Sequence, residues 1–105
     1  MNKKEQTYIK SLEKKDWDRV NKIADKDKTW VKPRVEKVSG SGTMWEYGLY
    51  IRGWNDLKKE DKKGFVIGYF EMKTSGVVVV DIFFPAIEWI ADNVYLDEIV
   101  PVKDE

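Results

Sequence analysis

The chain has 105 residues and carries equal numbers of basic (Lys/Arg) and acidic (Asp/Glu) residues, 19 of each, so its formal net charge is zero. This length predicts one domain, residues 1–105, and a composition of 42% apolar and 13% aromatic residues excludes a disordered chain. The absence of His and Cys removes the commonest acid–base, nucleophilic and metal-binding side chains, and the neutral balance argues against strong non-specific DNA binding.

The sequence also indicates the cellular compartment of the protein. No apolar run is long enough to cross a bilayer and no secretory pattern opens the chain, so no membrane association is expected. Because a chain without Cys has no disulfide framework, a cytoplasmic localisation is predicted. No motif in the sequence calls for a cofactor, and none is expected.

Residues 1–28 are predicted to be helical. Ile9 and Leu12 form a weak first apolar stripe, and Asp16 is a candidate N-cap. The apolar residues that follow recur at helical spacing: Trp17, Val20, Ile23 and Ala24. One helix bent near Asp16 and two short helices both fit this pattern. In either case the stripe is expected to pack onto a sheet.

Beyond this segment the apolar period changes to two, which predicts strands. The first strand spans 30–38 and lies at an edge or a strand start, because Pro33 lacks a backbone donor. A flexible Ser/Gly loop, 39–42, leads to a second strand over 43–54, whose alternating aromatic side chains would lie on both faces. The charged stretch 55–63 predicts a single helical turn.

The clearest local signal is a β-hairpin between residues 64 and 85. A three-residue loop, 74–76, with Gly76 in the left-handed conformation would pair Met72 with Val78 and Phe70 with Val80. This register makes one face wholly apolar, whereas a two-residue loop mixes charged and apolar side chains on both faces. The other face is half apolar, so another element is expected to cover part of it. Seven side chains are therefore predicted to be buried: Val66, Phe70, Met72, Val78, Val80, Ile82 and Phe84.

The C-terminal part predicts a short helix over 85–93, with Pro85 near its first position, and a final strand over 95–102. Residues 30–102 are thus mainly antiparallel sheet. The predicted fold class is α+β, with the N-terminal helical segment packed on a curved antiparallel sheet of about five strands. The sheet either rolls into a small barrel or stays open with the helix packed across it.

The aromatic side chains of the predicted second strand are the main functional lead. Alternation along a strand prevents all of them from entering one core, so some are expected to be exposed. Exposed Trp and Tyr are enriched at protein-binding hot spots, and they also stack bases in single-strand-binding barrels. The candidate binding residues on this strand are Trp45, Tyr50, Arg52 and Trp54.

Three carboxylates complete the candidate binding residues. Asp81 interrupts an apolar strand beside Tyr69 of the predicted register, where it is either a recognition or acid–base group or a solvent-facing residue. The segment 85–105 carries six acidic residues and one Lys, which suits a basic groove on a partner protein. Asp97 and Glu98 are the candidate binding residues of this acidic end.

The tripeptide Glu71-Met72-Lys73 resembles the Glu-x-Lys half of the PD-(D/E)xK nuclease pattern. In that family two carboxylates hold a divalent metal and the Lys assists the nucleophilic water. The resemblance covers three residues, and the family's Pro-Asp on a neighbouring strand is absent here. It implies a metal-dependent nuclease-like enzyme that uses Glu71 and Lys73.

Taken as a whole, the sequence favours a non-catalytic protein-binding module, of the small accessory or inhibitory kind carried by mobile elements such as viruses. A single-stranded nucleic-acid-binding small barrel is the alternative, and the nuclease-like enzyme comes third. Another protein is therefore the expected partner, with nucleic acid as the second possibility.

Overall fold

A computed structural model describes residues 12–102 of the chain. Within this range the chain forms one five-stranded antiparallel sheet with the strand order β4-β3-β2-β1-β5. The strands are β1 Trp30–Pro33, β2 Gly64–Glu71, β3 Val78–Phe84, β4 Trp89–Tyr95 and β5 Ile99–Pro101, and the two α-helices of this range are α1 Lys14–Asn21 and α2 Met44–Ile51. The predicted α+β class, with an N-terminal helix on a curved antiparallel sheet, is confirmed. The sheet is open, so closure into a barrel was a wrong expectation.

The sheet separates two apolar cores. Helix α1 packs on one face, where Trp17 meets Phe83 edge-on with ring centroids 5.5 Å apart and Val20 joins the same buried cluster. Helix α2 packs on the other face through Trp45 and Leu49. Strand β3 is consequently buried on both sides, which explains its almost continuous apolar sequence. The element that was expected to cover the second, half-apolar face of the hairpin is helix α1.

The N-cap of helix α1 lies three residues before the predicted one, Asp16. Glu13 is its N-cap, and the carbonyl oxygen of Glu13 accepts from the backbone N–H groups of Asp16 and Trp17 at 3.0 and 3.1 Å. Asp16 lies inside the first turn, where a negative charge is favoured by the helix dipole. The stripe through Trp17 and Val20 is confirmed, whereas Ile9 lies outside the described residues.

The strand predicted over 43–54 is wrong, because its first eight residues after Thr43 form helix α2. The Thr43 hydroxyl accepts from the Glu46 backbone N–H at 3.5 Å, so Thr-x-x-Glu marks a helix start. Trp45 and Leu49 are four residues apart, and this spacing places both side chains against the sheet. Helical periodicity and burial of one face thus override the alternating pattern.

Four other predicted elements differ from the structure. The first strand ends at Pro33 rather than at residue 38. The sequence predicts one helical turn over 55–63, whereas the structure has two 3₁₀ turns, Trp54–Asp56 and Lys59–Asp61, the first of which begins one residue before that stretch. The helix predicted over 85–93 is reduced to the 3₁₀ turn Pro85–Ile87, after which Glu88 adopts a positive φ of 45° and β4 follows. The last strand starts only at Ile99, because the turn Leu96–Glu98 precedes it.

The hairpin register also differs from the prediction. Phe70 lies opposite Val79, and the strands are joined by a four-residue loop, 73–76, closed by a 2.8 Å hydrogen bond from Met72 N–H to the Val77 carbonyl. Gly76 has the predicted positive φ, 70°. Of the seven side chains predicted to be buried, Val80, Ile82 and Phe84 are buried, Val66 and Val78 are half-buried, and Phe70 and Met72 are exposed. An apolar face could not select the register, because β3 is apolar on both faces.

Candidate functional site

The predicted patch on 43–54 does not form one exposed surface. Trp54 is only 1% exposed and meets Phe84 edge-on at 5.2 Å, and Trp45 lies in the same core. The indole N–H of Trp45 donates to the carboxylate of Glu98. The structure therefore places both Trp side chains in the packing between α2 and the sheet.

Arg52 is used within the fold. Its guanidinium lies over the Trp89 ring, 4.4 Å from the centroid, and its Nη1 donates to the Gly48 carbonyl at 2.9 Å. Burial lowers the pKa of Arg52 to about 10. A Cβ on Gly48 would lie 2.3 Å from the Trp89 ring, so the close approach of helix and ring requires glycine there. Tyr50 is the exposed member of the predicted four residues.

Asp81 is a buried charge, only 5% exposed, that joins three elements. Its carboxylate accepts from Nη2 of Arg19 in α1 at 2.7 Å and from the backbone N–H of Asn93 in β4 at 2.9 Å. The residue opposite Asp81 on β2 is Gly68, so the predicted pairing with Tyr69 is wrong. Burial, followed by repulsion from Asp81, raises the pKa of the neighbouring Asp92 carboxyl.

The two acidic candidates lie in the turn between β4 and β5. The Asp97 side chain is exposed, and its backbone carbonyl accepts from Arg34 Nε at 2.8 Å. The Glu98 carboxylate is engaged by Trp45, and the Glu98 carbonyl accepts from the Arg34 backbone N–H at 3.0 Å. The Asp97 carboxylate is thus exposed at this end of the sheet, whereas the Glu98 carboxylate stabilises the packing of α2.

A group of exposed apolar side chains that the sequence did not reveal lies near the tip of the β2–β3 hairpin. Phe70 and Tyr95 flank Val79 in adjacent strands, and the loop-closing residues Met72 and Val77 follow two positions along. We call these four residues the hairpin patch, and their exposed fractions are 51%, 46%, 41% and 38% in the order Phe70, Tyr95, Met72 and Val77.

The hairpin patch is held in place by the structure beneath it. Val79 is 2% exposed, so its neighbours on either side shield it from water. A Cβ on Gly68 would lie 3.1 Å from the Phe70 ring, which places this ring close against the sheet. The patch depends on the pairing register of the hairpin, which the sequence did not predict. The signal that the sequence does contain is a Phe and a Met, Phe70 and Met72, beside a polar loop.

The residues of the nuclease resemblance lie at the same end of the hairpin. Glu71 ends β2 opposite Val78, and Lys73 starts the loop; both are exposed. Across residues 12–102, no three His, Cys, Asp or Glu side chains come together in a group that could hold a metal ion. In the same range, no helix is both long enough and apolar enough to cross a membrane.

Comparisons with protein-family models, with curated proteins and with solved structures found no match to this chain.

Proposed function

We propose that this protein is a non-catalytic protein-binding module that recognises another protein through the hairpin patch. The observation that carries the proposal is the exposure of Phe70, Met72, Val77 and Tyr95 on one face of the sheet. Aromatic residues and Met are enriched in protein interfaces, and contiguous apolar surface on a small protein marks interaction sites.

The patch is suited to binding because little ordering is needed when a partner arrives. Phe70 and Tyr95 are fixed on paired strands on both sides of the buried Val79. Aromatic side chains also have few rotatable bonds, so their burial costs less conformational entropy than that of long flexible side chains. We therefore expect these two rings to dominate the binding energy.

The charges around the patch indicate the chemistry of the partner. Tyr95 is followed by the exposed Leu96 and Asp97. A partner surface that is apolar at its centre and rimmed by Lys or Arg is complementary to this arrangement. The proposed role is that of an accessory or inhibitory protein, which covers such a basic-rimmed surface on its target in the cytoplasm.

The alternative functions draw less support from the fold. The stacking platform expected for single-stranded nucleic acid relied on Trp45 and Trp54, and both side chains are buried. For the nuclease-like enzyme, only the placement of Glu71 and Lys73 is known, and this placement brings no further carboxylate into a metal-binding group within residues 12–102.

The test begins with affinity capture from untreated and from nuclease-treated lysate on the wild-type protein and on Phe70→Ala, with Tyr50→Ala as the matched control. Tyr50 is an equally accessible aromatic residue on α2. The captured protein is then purified and titrated. The proposal expects Phe70→Ala to weaken binding by roughly 30-fold, a typical hot-spot loss, and Tyr50→Ala to bind like wild type.

Two results would contradict the proposal. Loss of binding in Tyr50→Ala with full retention in Phe70→Ala would move recognition to helix α2. Capture that disappears after nuclease treatment would identify nucleic acid as the species that is bound. Charge reversal at Asp97 adds a test of the rim, since it should slow association more at low salt than at high salt.

A further inference from the structure

A second concave surface lies away from the hairpin patch, between the end of β1 and the 3₁₀ turn Lys59–Asp61. The cleft has a volume of about 430 Å³, which is within the usual range of small-molecule sites. Two basic side chains line each wall: Lys32 and Arg34 on the β1 side, Lys59 and Lys62 on the other. We call it the basic cleft.

The basic cleft concentrates positive charge in a chain whose net charge is zero. One carboxylate, that of Glu36, lines it beside the four cations. Among the described residues, no ion pair involves Lys32, Lys59 or Lys62. The cations come from segments that are distant in sequence, so a solvated charge run along one element does not account for their convergence.

Hydrogen bonds fix both walls of the cleft. Asn55 clamps the chain after β1, because its Oδ1 accepts from the Val38 backbone N–H at 2.9 Å and its Nδ2 donates to the Val38 carbonyl at 3.0 Å. Arg34 Nε donates to the Asp97 carbonyl, which orients the guanidinium. In the opposite wall, the Lys62 backbone N–H donates a hydrogen bond to the Lys59 carbonyl at 3.2 Å, and this bond closes the turn.

Three apolar residues also line the cleft: Pro33, Val35 and Trp54. Pro33 and Trp54 are buried, so the accessible apolar surface beside the cations is that of Val35. Lys acts as a point charge toward phosphate, and Arg can donate two parallel hydrogen bonds to it. A phosphate ester that presents its anionic oxygens to the four cations matches this arrangement.

From these features we propose that the basic cleft binds a phosphate group, either that of a free compound such as a nucleotide or that of a single strand. This site is separate from the hairpin patch, and it needs neither the proposed protein partner nor catalysis. The binding is electrostatic at the cations, and it should weaken as salt concentration rises.

The test is calorimetric titration of the purified full-length protein with adenosine monophosphate, inorganic phosphate, a short oligothymidylate and a poly-glutamate peptide. The double variant Lys59→Gln/Lys62→Gln is expected to bind the nucleotide about tenfold more weakly or worse, because it loses two charge-assisted contacts. The control Lys22→Gln/Lys26→Gln removes the same charge from exposed positions outside the cleft and should bind like wild type.

Each arm of the titration decides a separate point. Tighter binding of oligothymidylate than of adenosine monophosphate identifies a strand as the source of the phosphate, and the reverse identifies a free nucleotide. Absence of binding to every phosphate compound overturns the proposal, as does preference for poly-glutamate or an equal loss in both double variants. Lys32→Gln, on the opposite wall, should repeat the loss if the turn variant is misfolded.

Discussion

Removing the charge that faces buried Asp81 should destabilise the fold more than any surface substitution on α1. In Arg19→Met, the Asp81 carboxylate keeps the hydrogen bond from Asn93 but loses the 2.7 Å contact to Arg19 Nη2. Breaking a fully buried pair costs about 3–5 kcal/mol. Because the Arg19 side chain is 38% exposed, water can replace part of this contact, and we expect a loss of about 1–3 kcal/mol.

Urea unfolding at neutral pH measures this loss. With a typical slope for a small domain, the midpoint should fall by about 1 M. Lys14→Met is the control on the same helix: Lys14 pairs with Asp18 at 3.0 Å, but both side chains are largely exposed, so its effect should stay below about 0.5 kcal/mol. Replacing Asp81 by Asn in the Arg19→Met background should restore stability, since it removes the unpaired charge. Equal midpoints for Arg19→Met and Lys14→Met would refute the assignment of Asp81 as a buried, paired charge.

Three further substitutions test other parts of the structure. Gly48→Ala should cost about 1–3 kcal/mol in urea unfolding despite the better helix propensity of Ala, because the new methyl group meets Trp89; a stabilised variant would contradict the close approach. Phe84→Ala should cost about 3–5 kcal/mol and the exposed Phe70→Ala under about 1 kcal/mol, an order that the predicted register would not give. The Asp92 pKa lies above 3.8 in the folded protein, so ionisation of this carboxyl lowers the stability of the fold as pH rises through that pKa. Asp92→Asn should therefore be more stable than wild type at pH 7, and the difference in stability should vanish below pH 3.8. A difference that grows toward acid pH would refute this sign.

The parts of the fold that the sequence could predict are those with one consistent local signal. The stripe through Trp17 and Val20 has a single period, and the β-branched runs around Gly76 flank a turn residue. Both elements were located within a few residues. For helix α2 the local signals conflict: Thr43 and Glu46 indicate a helix start, whereas the aromatic residues between and after them alternate as in a strand. The choice between helix and strand depends on which side chains are buried against the sheet, and this is a tertiary contact that the local sequence does not show.

The candidate sites were harder to predict, because they depend on contacts between distant segments. Arg19 and Asp81 are separated by 62 positions in the chain, and nothing local indicates that they meet. The hairpin patch depends on a register that is set by the four-residue loop 73–76, which is one residue longer than predicted. On the predicted strand, Trp54 would be a surface aromatic residue. In the structure it lies in the turn that follows α2, and its side chain packs in the core.

The hairpin patch can be tested most directly by methyl NMR on the methionines. The chain has three Met residues; Met72 lies in the patch, and Met44 is exposed at the start of α2 on the other side of the sheet. On titration of ¹³C-methyl-Met protein with the purified partner, the Met72 resonance should shift or broaden while that of Met44 stays in place. A shift of Met44 with an unchanged Met72 resonance would contradict recognition through the hairpin patch.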